Sequence, residues 1–294
     1  MRIIKKIFGI LFVLIFIFGC IFSVNSNNFL WKIEKEGNVN YILGSVHMMS
    51  EDSYPLNSSI TDAFKKSDFL VVEADITKMD NLMRAQKLTL EKGYFKEKKL
   101  EDILDKDLLN KLKNKISKYN IPFSKINQMK PWLASITIEQ LNIMQSGAKA
   151  NLGIDSHFLT KAQEENMEIK ELESVDLQME LLSSFTGETG IEFLKSSLKE
   201  TDKKDKFKKM VELWKQGKRE EFKNFIFEER SENPELKDVY MKLFDERNIK
   251  MVGKIKGYFE DDKIHFIVVG AGHLVGENGI LNLLESEGYN IEQL

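Results

Sequence analysis

Short runs of apolar residues near the two ends of the chain predict buried β-strands, with a long region of helical spacing between them. Residues 29–35 and 39–43 flank Glu36-Gly37-Asn38, a pattern that predicts a β-hairpin. Residues 57–67 have the spacing of a helix, and the apolar run 69–72 predicts the next strand. The second arm of the hairpin, this helix and this strand therefore form a strand, helix, strand unit.

The middle of the chain, from about residue 79 to about residue 260, is predicted as a helical insertion. Its predicted helices are residues 82–93, 100–119, 132–145, 155–166 and 235–256. The later predicted strands are residues 168–172, 264–269 and 289–291, with a helix at about 278–287 before the last one. We therefore expect one domain over residues 29–294, in which a few strands carry a large helical cap.

The N-terminus has the pattern of an export signal. Three basic residues precede the apolar stretch Ile7–Phe18, so residues 1–19 are excluded from the fold. Cys20 follows in a pattern that resembles the lipobox of bacterial lipoproteins, which predicts cleavage before Cys20, acylation of its thiol and a tether over residues 20–28. The alternatives are an uncleaved signal anchor, since residues 7–24 border on spanning length, and simple secretion. All three interpretations place the domain outside the cytoplasm.

Charge and cysteine content restrict the classes of function. Cys20 is the only cysteine, so the body of the chain has neither an internal disulfide nor a thiolate metal site. Removal of residues 1–19 takes away three positive charges and changes the formal net charge from −3 to −6. An acidic surface of mixed charge gives no indication of a nucleic-acid partner.

Two Gly-x-x-His motifs follow predicted strands at opposite ends of the chain, Gly44-Ser45-Val46-His47 and Gly270-Ala271-Gly272-His273. A third strand, residues 69–72, ends directly before Glu73. Open α/β sheets bind ligands beyond the carboxyl ends of their strands, so these side chains can share one crevice. Two imidazoles and a carboxylate suit zinc or another divalent transition metal, with positions left for water and substrate.

Each histidine also has a structural interpretation. His47 alone is typical of a hydrogen-bonded structural histidine. The glycines around His273 could instead cradle a phosphate, but a dinucleotide site requires an acidic residue about 20 positions further on and additional βα units. Only 18 residues follow Gly276, so we expect these glycines to form a turn that directs His273 into the crevice. His157, on a predicted helix, and His265, early in a strand, are interpreted as structural.

The acidic candidates have alternatives as well. A buried Glu73 requires a cation or hydrogen-bond donors nearby, which a metal ion or Arg247 could supply. Glu173 follows another predicted strand and could instead favour the dipole of the next helix. Asp155 is equally compatible with a helix N-cap and with a role in the site.

Several separated motifs resemble the TraB/GumN family, which includes the pheromone-shutdown protein PrgY and is related to the Tiki metalloproteases. They are, in chain order, YILGSVH at residues 41–47, VVEAD at 71–75, GID at 153–155, ELE at 171–173, ERN at 246–248 and FIVVGAGHLVG at 266–276. The resemblance implies an α/β fold with a mostly parallel central sheet and a helical insertion. It also implies a metal-dependent hydrolytic site, which falls on His47, Glu73 and His273. Glu173 and the pair Arg247-Asn248 match recurrent family positions without a settled role.

The sequence thus predicts an envelope-anchored, metal-dependent hydrolase that acts on a peptide or protein. His47, Glu73 and His273 are expected to hold one divalent manganese, cobalt or zinc ion. Glu173 is expected to position water or carry its proton, and Arg247 to steady an oxyanion or a neighbouring carboxylate. One alternative is a non-catalytic protein that sequesters a peptide signal on the same scaffold. Another is a metal ion with a purely structural role.

Overall fold

A computed structural model describes residues 27–199, 203–231 and 233–294 of the chain. The predicted export signal and Cys20 lie outside the described residues. In the part of the chain that is described, no helix is both long and apolar enough to cross a membrane.

A six-stranded mixed sheet forms the centre of the domain. Its strands are β1 (Leu30–Lys35), β2 (Asn38–Ser45), β3 (Phe69–Val72), β4 (Glu168–Glu171), β5 (His265–Gly270) and β6 (Asn290–Gln293). Their order across the sheet is β4-β3-β5-β2-β1-β6. The neighbours among β4, β3, β5 and β2 pair in parallel, whereas β1 is antiparallel to both β2 and β6. The fold is therefore α/β with a mostly parallel sheet, which confirms the predicted fold class.

Helices make up most of the other described residues. Those of the described residues are α1 (Ser58–Lys65), α2 (Met79–Gly93), α3 (Leu100–Ile103), α4 (Lys106–Ser117), α5 (Phe123–Asn127), α6 (Pro131–Met144), α7 (Ile154–Glu164), α8 (Val175–Ser184), α9 (Gly187–Ser197), α10 (Lys203–Lys215), α11 (Arg219–Ser231), α12 (Lys237–Tyr240), α13 (Glu246–Tyr258), α14 (Ala271–Leu274) and α15 (Ile280–Ser286). Short 3₁₀ turns occupy Glu51–Ser53, Ala150–Leu152 and Pro234–Leu236. Helices α2 to α13 all lie between β3 and β5 in the chain, with β4 inserted between α7 and α8.

Two of the predicted helices were wrong in extent. The segment 100–119 contains two helices, because Leu104 and Asp105 are extended and the Asp105 side chain caps α4 by accepting from the Leu108 N–H at 2.8 Å. The segment 235–256 is also not one regular helix, since a π-helical turn at Met241–Asp245 lies between α12 and α13. A local cap and a local change of hydrogen-bond pattern both leave the apolar spacing intact, so periodicity does not reveal them.

The main core surrounds strand β5, whose six residues are all buried. Burial on both faces is typical of the central strand of a parallel sheet. Phe266 of β5 packs against Phe64 of α1 and Phe158 of α7, with ring centroids 5.5 and 4.8 Å apart respectively. A second apolar core lies among the helices α3, α4, α5, α6 and α9 and the segments that flank them, so the insertion has packing of its own.

The end of β2 is held from two sides. The indole Nε1 of Trp214, on α10, donates to the Gly44 carbonyl at 2.6 Å. A Cβ atom on Gly44 would lie 2.5 Å from Phe29 Cδ1 and 3.1 Å from the Ala271 Cα. Glycine is therefore required here because α14 and the side chain of Phe29, the residue before β1, approach the backbone closely.

We expect Gly44→Ala to lower the free energy of unfolding by about 1–3 kcal/mol, the usual cost of overpacking a tight core. Gly257→Ala is the matched control, because Gly257 is exposed on α13 and a Cβ there would have no atom within 4 Å. We expect Gly257→Ala to leave the free energy of unfolding unchanged or to raise it by up to about 1 kcal/mol. Urea denaturation of both variants checks this, and equal effects would contradict the close packing at Gly44.

Candidate active site

Four parallel strands end at one edge of the sheet and deliver the polar residues there. The register pairs Ser45 of β2 with Gly270 of β5, and Val72 of β3 with both Val268 of β5 and Glu171 of β4. The strands are followed by Glu173, Glu73, His273 and His47, in the order in which β4, β3, β5 and β2 lie across the sheet. The parallel direction of these strands is what brings distant parts of the sequence to one crevice.

Gly270 marks the point where three of these side chains meet. A Cβ atom on Gly270 would lie 3.3 Å from Glu73 Oε1, 3.4 Å from His273 Cδ2 and 3.7 Å from His47 Nε2. A side chain at this position would therefore fill the space between the two imidazoles and the carboxylate. The glycine leaves that space free.

Glu73 accepts hydrogen bonds on both carboxylate oxygens. The Gly270 N–H donates to Oε1 at 2.8 Å, and the guanidinium of Arg247 donates to Oε2 at 2.6 Å. Gln178 of α8 donates to the same Oε2 at 3.3 Å. Burial raises the pKa of Glu73, but the charge of His273, whose ring is protonated in acid, and the charge of Arg247 outweigh it and lower the pKa to about 2. Glu73 is therefore ionised at neutral pH.

Arg247 bridges Glu73 and Glu173. Its Nη2 lies 2.6 Å from an oxygen of each carboxylate, and its Nε donates to Glu173 at 2.9 Å. Its Nη1 donates to the Leu243 carbonyl at 3.0 Å, within the helical segment that carries it. Burial lowers the pKa of Arg247, but the hydrogen bonds and charges of the two glutamates raise it above its ordinary value. The guanidinium is a fixed positive charge between two buried acids.

His273 is held in one tautomer by an amide. Asn248 Nδ2 donates to the Asn278 carbonyl at 2.7 Å, so the other amide atom, Oδ1, faces His273 Nδ1 at 2.6 Å. Oδ1 therefore accepts a hydrogen bond from the Nδ1–H of His273. The lone pair of His273 Nε2 then faces Glu73 Oε1 at 3.8 Å, which is too long for a hydrogen bond. Burial lowers the pKa of His273 to about 4, so the ring is neutral at pH 7.

His47 has a charged partner instead. Its Nδ1 donates to Asp155 Oδ2 at 2.9 Å, and the charge of Asp155 raises the pKa of His47 to about 9. The side chain of His47 is 71% exposed, so water screens part of this attraction.

The residues proposed from the sequence lie together. Arg247 joins Glu73 and Glu173 by ion pairs, and His47 and His273 border the space beside Gly270 together with Glu73. Asp155 contacts His47, and Asn248 contacts His273. Sequence reasoning missed Gln178, whose amide donates to both Glu73 and Glu173. Its only sequence signal is its place in α8, five positions after Glu173, and a glutamine there is unremarkable on a helix.

The other two histidines contact different groups. His157 packs against Tyr54 with ring centroids 5.1 Å apart. His265, at the first position of β5, is fully buried between Phe69 and Tyr258, and its Nδ1 donates to Asn40.

The side chains of this group are of types that bind divalent ions. Their present arrangement, however, does not form a complete metal site. Among the described residues, no three histidine, cysteine or acidic side chains are arranged to hold a metal ion. Both oxygens of Glu73 already accept hydrogen bonds. Two imidazoles fixed through Nδ1 by other side chains are, however, typical of metal ligands, because such partners orient the ring. The free space beside Gly270 lies between them.

The fold and this crevice define an α/β protein with a polar site at the carboxyl edge of a mostly parallel sheet. The model of the TraB/PrgY/gumN family matches residues 29–293, so the chain belongs to this family, as the resemblance implied. It is also similar to two proteins named uncharacterized protein YbaP, from Escherichia coli (strain K12) and Shigella flexneri. Each is 24% identical over 271 residues, which cover 89% of this chain and 95% of the relative. No solved structure matches the chain.

The lowered pKa of Glu73 predicts a specific acid sensitivity of the metal-free protein. A carboxyl whose pKa is lower in the folded state stabilises that state above its unfolded pKa of about 4.5, and this contribution is lost as pH falls toward about 2. We expect Glu73→Gln to lower the free energy of unfolding at pH 7 by about 1.5–3 kcal/mol, the usual contribution of a hydrogen bond to a charged group, and to flatten its dependence on pH below 4.5.

Denaturation from pH 7 to pH 2.5 in a chelator measures this dependence. Glu168→Gln, at the exposed first position of β4, is the matched control and should retain the wild-type slope. An acid slope in Glu73→Gln equal to that of the wild type would show that Glu73 is not held in its ionised form.

Proposed function

We propose that this protein is a hydrolase of peptide or protein substrates and that its site is the group around Gly270. The observation that supports this most strongly is the convergence of His47 Nε2, the His273 ring and Glu73 Oε1 on one free space at the carboxyl edge of the sheet. Buried ionisable groups with strongly shifted pKa values in a crevice are typical of catalytic sites. Membership of the family fits this proposal.

We further propose that His47, His273 and Glu73 hold one divalent manganese, cobalt or zinc ion. Such an ion lowers the pKa of bound water toward neutrality and polarises a carbonyl. Support comes from His273 Nε2 and Glu73 Oε1, two electron-pair donors that face each other 3.8 Å apart with no hydrogen between them. For Glu73 to act as a ligand, its carboxylate must give up a contact with Gly270, Arg247 or Gln178.

The remaining residues have positioning and proton-transfer roles in this proposal. Glu173 is the candidate for orienting the attacking water or carrying its proton. It has an ionisable side chain, and Arg247 forms an ion pair with both Glu173 and Glu73, which keeps the two carboxylates close. Arg247 holds both carboxylates in place. Its contacts favour this role over binding an oxyanion, because Nε, Nη1 and Nη2 all donate to groups of the protein.

The activity test uses the full chain, a peptide library and added manganese, cobalt or zinc. We expect His47→Ala, His273→Ala and Glu73→Gln each to reduce kcat/KM by about 100-fold or more. His157→Ala is the matched control, because His157 packs on Tyr54, and should retain activity. We also expect elemental analysis to find less metal in the double variant His47→Ala/His273→Ala than in the wild type.

The outcomes separate the parts of the proposal. Turnover that survives a chelator but is lost in the histidine variants would remove the metal ion and keep the site. Peptide binding without cleavage under every metal would support the non-catalytic, signal-sequestering alternative. Equal metal content in the wild type and the double variant would remove the proposed ligands. A sharp fall in melting temperature on chelation, with no activity to lose, would indicate a structural ion.

We propose that the domain is anchored outside the cytoplasm through an acylated Cys20. This rests on the basic and apolar pattern of residues 1–19. We expect a labelled fatty acid to be incorporated into the wild-type chain and not into Cys20→Ser, with Ser23→Ala as a control that retains the label. Equal labelling of both variants would contradict acylation at Cys20. An unlabelled wild-type chain that stays with membranes would favour the uncleaved signal anchor.

A further inference from the structure

Three residues beside His47 have no role in the proposed function: Ser45, Gly153 and Asp155. The segment 153–155 packs directly on the motif that carries His47. The Ile154 N–H donates to the Val46 carbonyl at 3.0 Å, and a Cβ atom on Gly153 would lie only 2.3 Å from the His47 carbonyl oxygen. Only glycine permits this approach, so the first turn of α7 is fixed to the turn after β2.

This packing places the Asp155 carboxylate against one edge of the His47 ring. Asp155 Oδ2 lies 2.9 Å from His47 Nδ1. The side chain of His47 is 71% exposed, whereas that of Asp155 is 20% exposed. Since few neighbours pack against the exposed ring, its orientation depends on this hydrogen bond.

Asp155 does not act as a helix cap. It lies in the first turn of α7, where a capping carboxylate would accept a backbone N–H. Among the described residues, no backbone N–H donates to the Asp155 side chain, and His47 is its hydrogen-bond partner. The contact to His47 therefore explains the carboxylate better than the helix does.

Ser45 supplies an independent observation. It is 3% exposed at the last position of β2, and its hydroxyl has no hydrogen-bond partner of normal geometry among the described residues. A buried hydroxyl without a partner is costly. The backbone hydrogen bond from Ile154 to Val46 joins the turn that carries Asp155 to the turn that carries Ser45, so a carboxylate acceptor is close in the fold to this hydroxyl.

We propose that Asp155 is the positioning residue of His47 and that the Ser45 hydroxyl holds the Asp155 carboxylate in place. His47 Nδ1 then keeps its hydrogen, and Nε2 faces the space beside Gly270. The purpose of this arrangement rests on the proposed function. The arrangement itself can be tested without substrate or metal.

The test is ¹H–¹⁵N NMR of the histidine rings in the full chain, solubilised in detergent, cold and in a chelator. We expect downfield Nδ1–H signals for both His47 and His273. Asp155→Ala should remove the His47 signal alone, and Asn248→Ala should remove the His273 signal alone, so each variant controls the other. Asp155→Asn should keep the His47 signal, because an amide oxygen still accepts the hydrogen. Ser45→Ala should increase its exchange with water severalfold, while Ser45→Thr, which keeps the hydroxyl, should not.

Retention of the His47 signal in Asp155→Ala would overturn the role of Asp155. Unchanged exchange in Ser45→Ala would overturn that of Ser45. If Asp155→Ala loses both signals through unfolding, Asp155→Leu decides, since it has nearly the shape of aspartate and no acceptor. Loss of its His47 signal with a retained His273 signal would support the proposal, and retention of the His47 signal would overturn it. The expected NMR result together with no peptide turnover would contradict the proposed function and leave this inference standing.

Discussion

The ion pairs between Arg247 and two glutamates are the interaction on which the site depends. Glu73 and Glu173 follow neighbouring parallel strands, so the sheet forces two largely buried carboxylates to the same place. Without a positive charge between them, like charges in a poorly solvated crevice would repel and one acid would bind a proton. Removing one partner of such a buried pair typically costs about 3–5 kcal/mol. Arg247 therefore favours the ionised form of Glu73 and holds the two carboxylates side by side, and it does so from α13, in the last part of the helical region.

Close backbone approaches determine the shape of the crevice around these charges. Gly270 leaves the space between the imidazoles and Glu73 free, and its N–H fixes one oxygen of that carboxylate. Gly44 and Gly153 allow α14 and α7 to pack against the turn that carries His47. These glycines have a common physical basis, because a Cβ atom at any of them would displace a group of the site or its support.

The two histidines are held alike but charged differently. Each ring donates Nδ1–H to a side-chain oxygen, which directs Nε2 toward the centre of the site. Asp155 is an anion and raises the pKa of His47, whereas Asn248 is neutral and the burial of His273 lowers its pKa. The opposite shifts follow from the different surroundings of the two rings, a carboxylate beside one and burial around the other.

The sequence by itself determined the strands and the residue types at their ends, because the strand pattern and the Gly-x-x-His spacing are local features. Strand β3 was predicted at its observed bounds. The sequence also named the candidate residues His47, Glu73, Glu173, Arg247 and His273. It also left Asp155 open between two roles, overlooked Gln178, and joined α3 to α4. Only the tertiary structure decided that Arg247 contacts the glutamates, that Asp155 serves His47 and that Gln178 reaches both acids. The physical reason is that these contacts depend on how α7, α8 and α13 pack against the sheet edge, and residue spacing along the chain carries no information about the distance between separate elements.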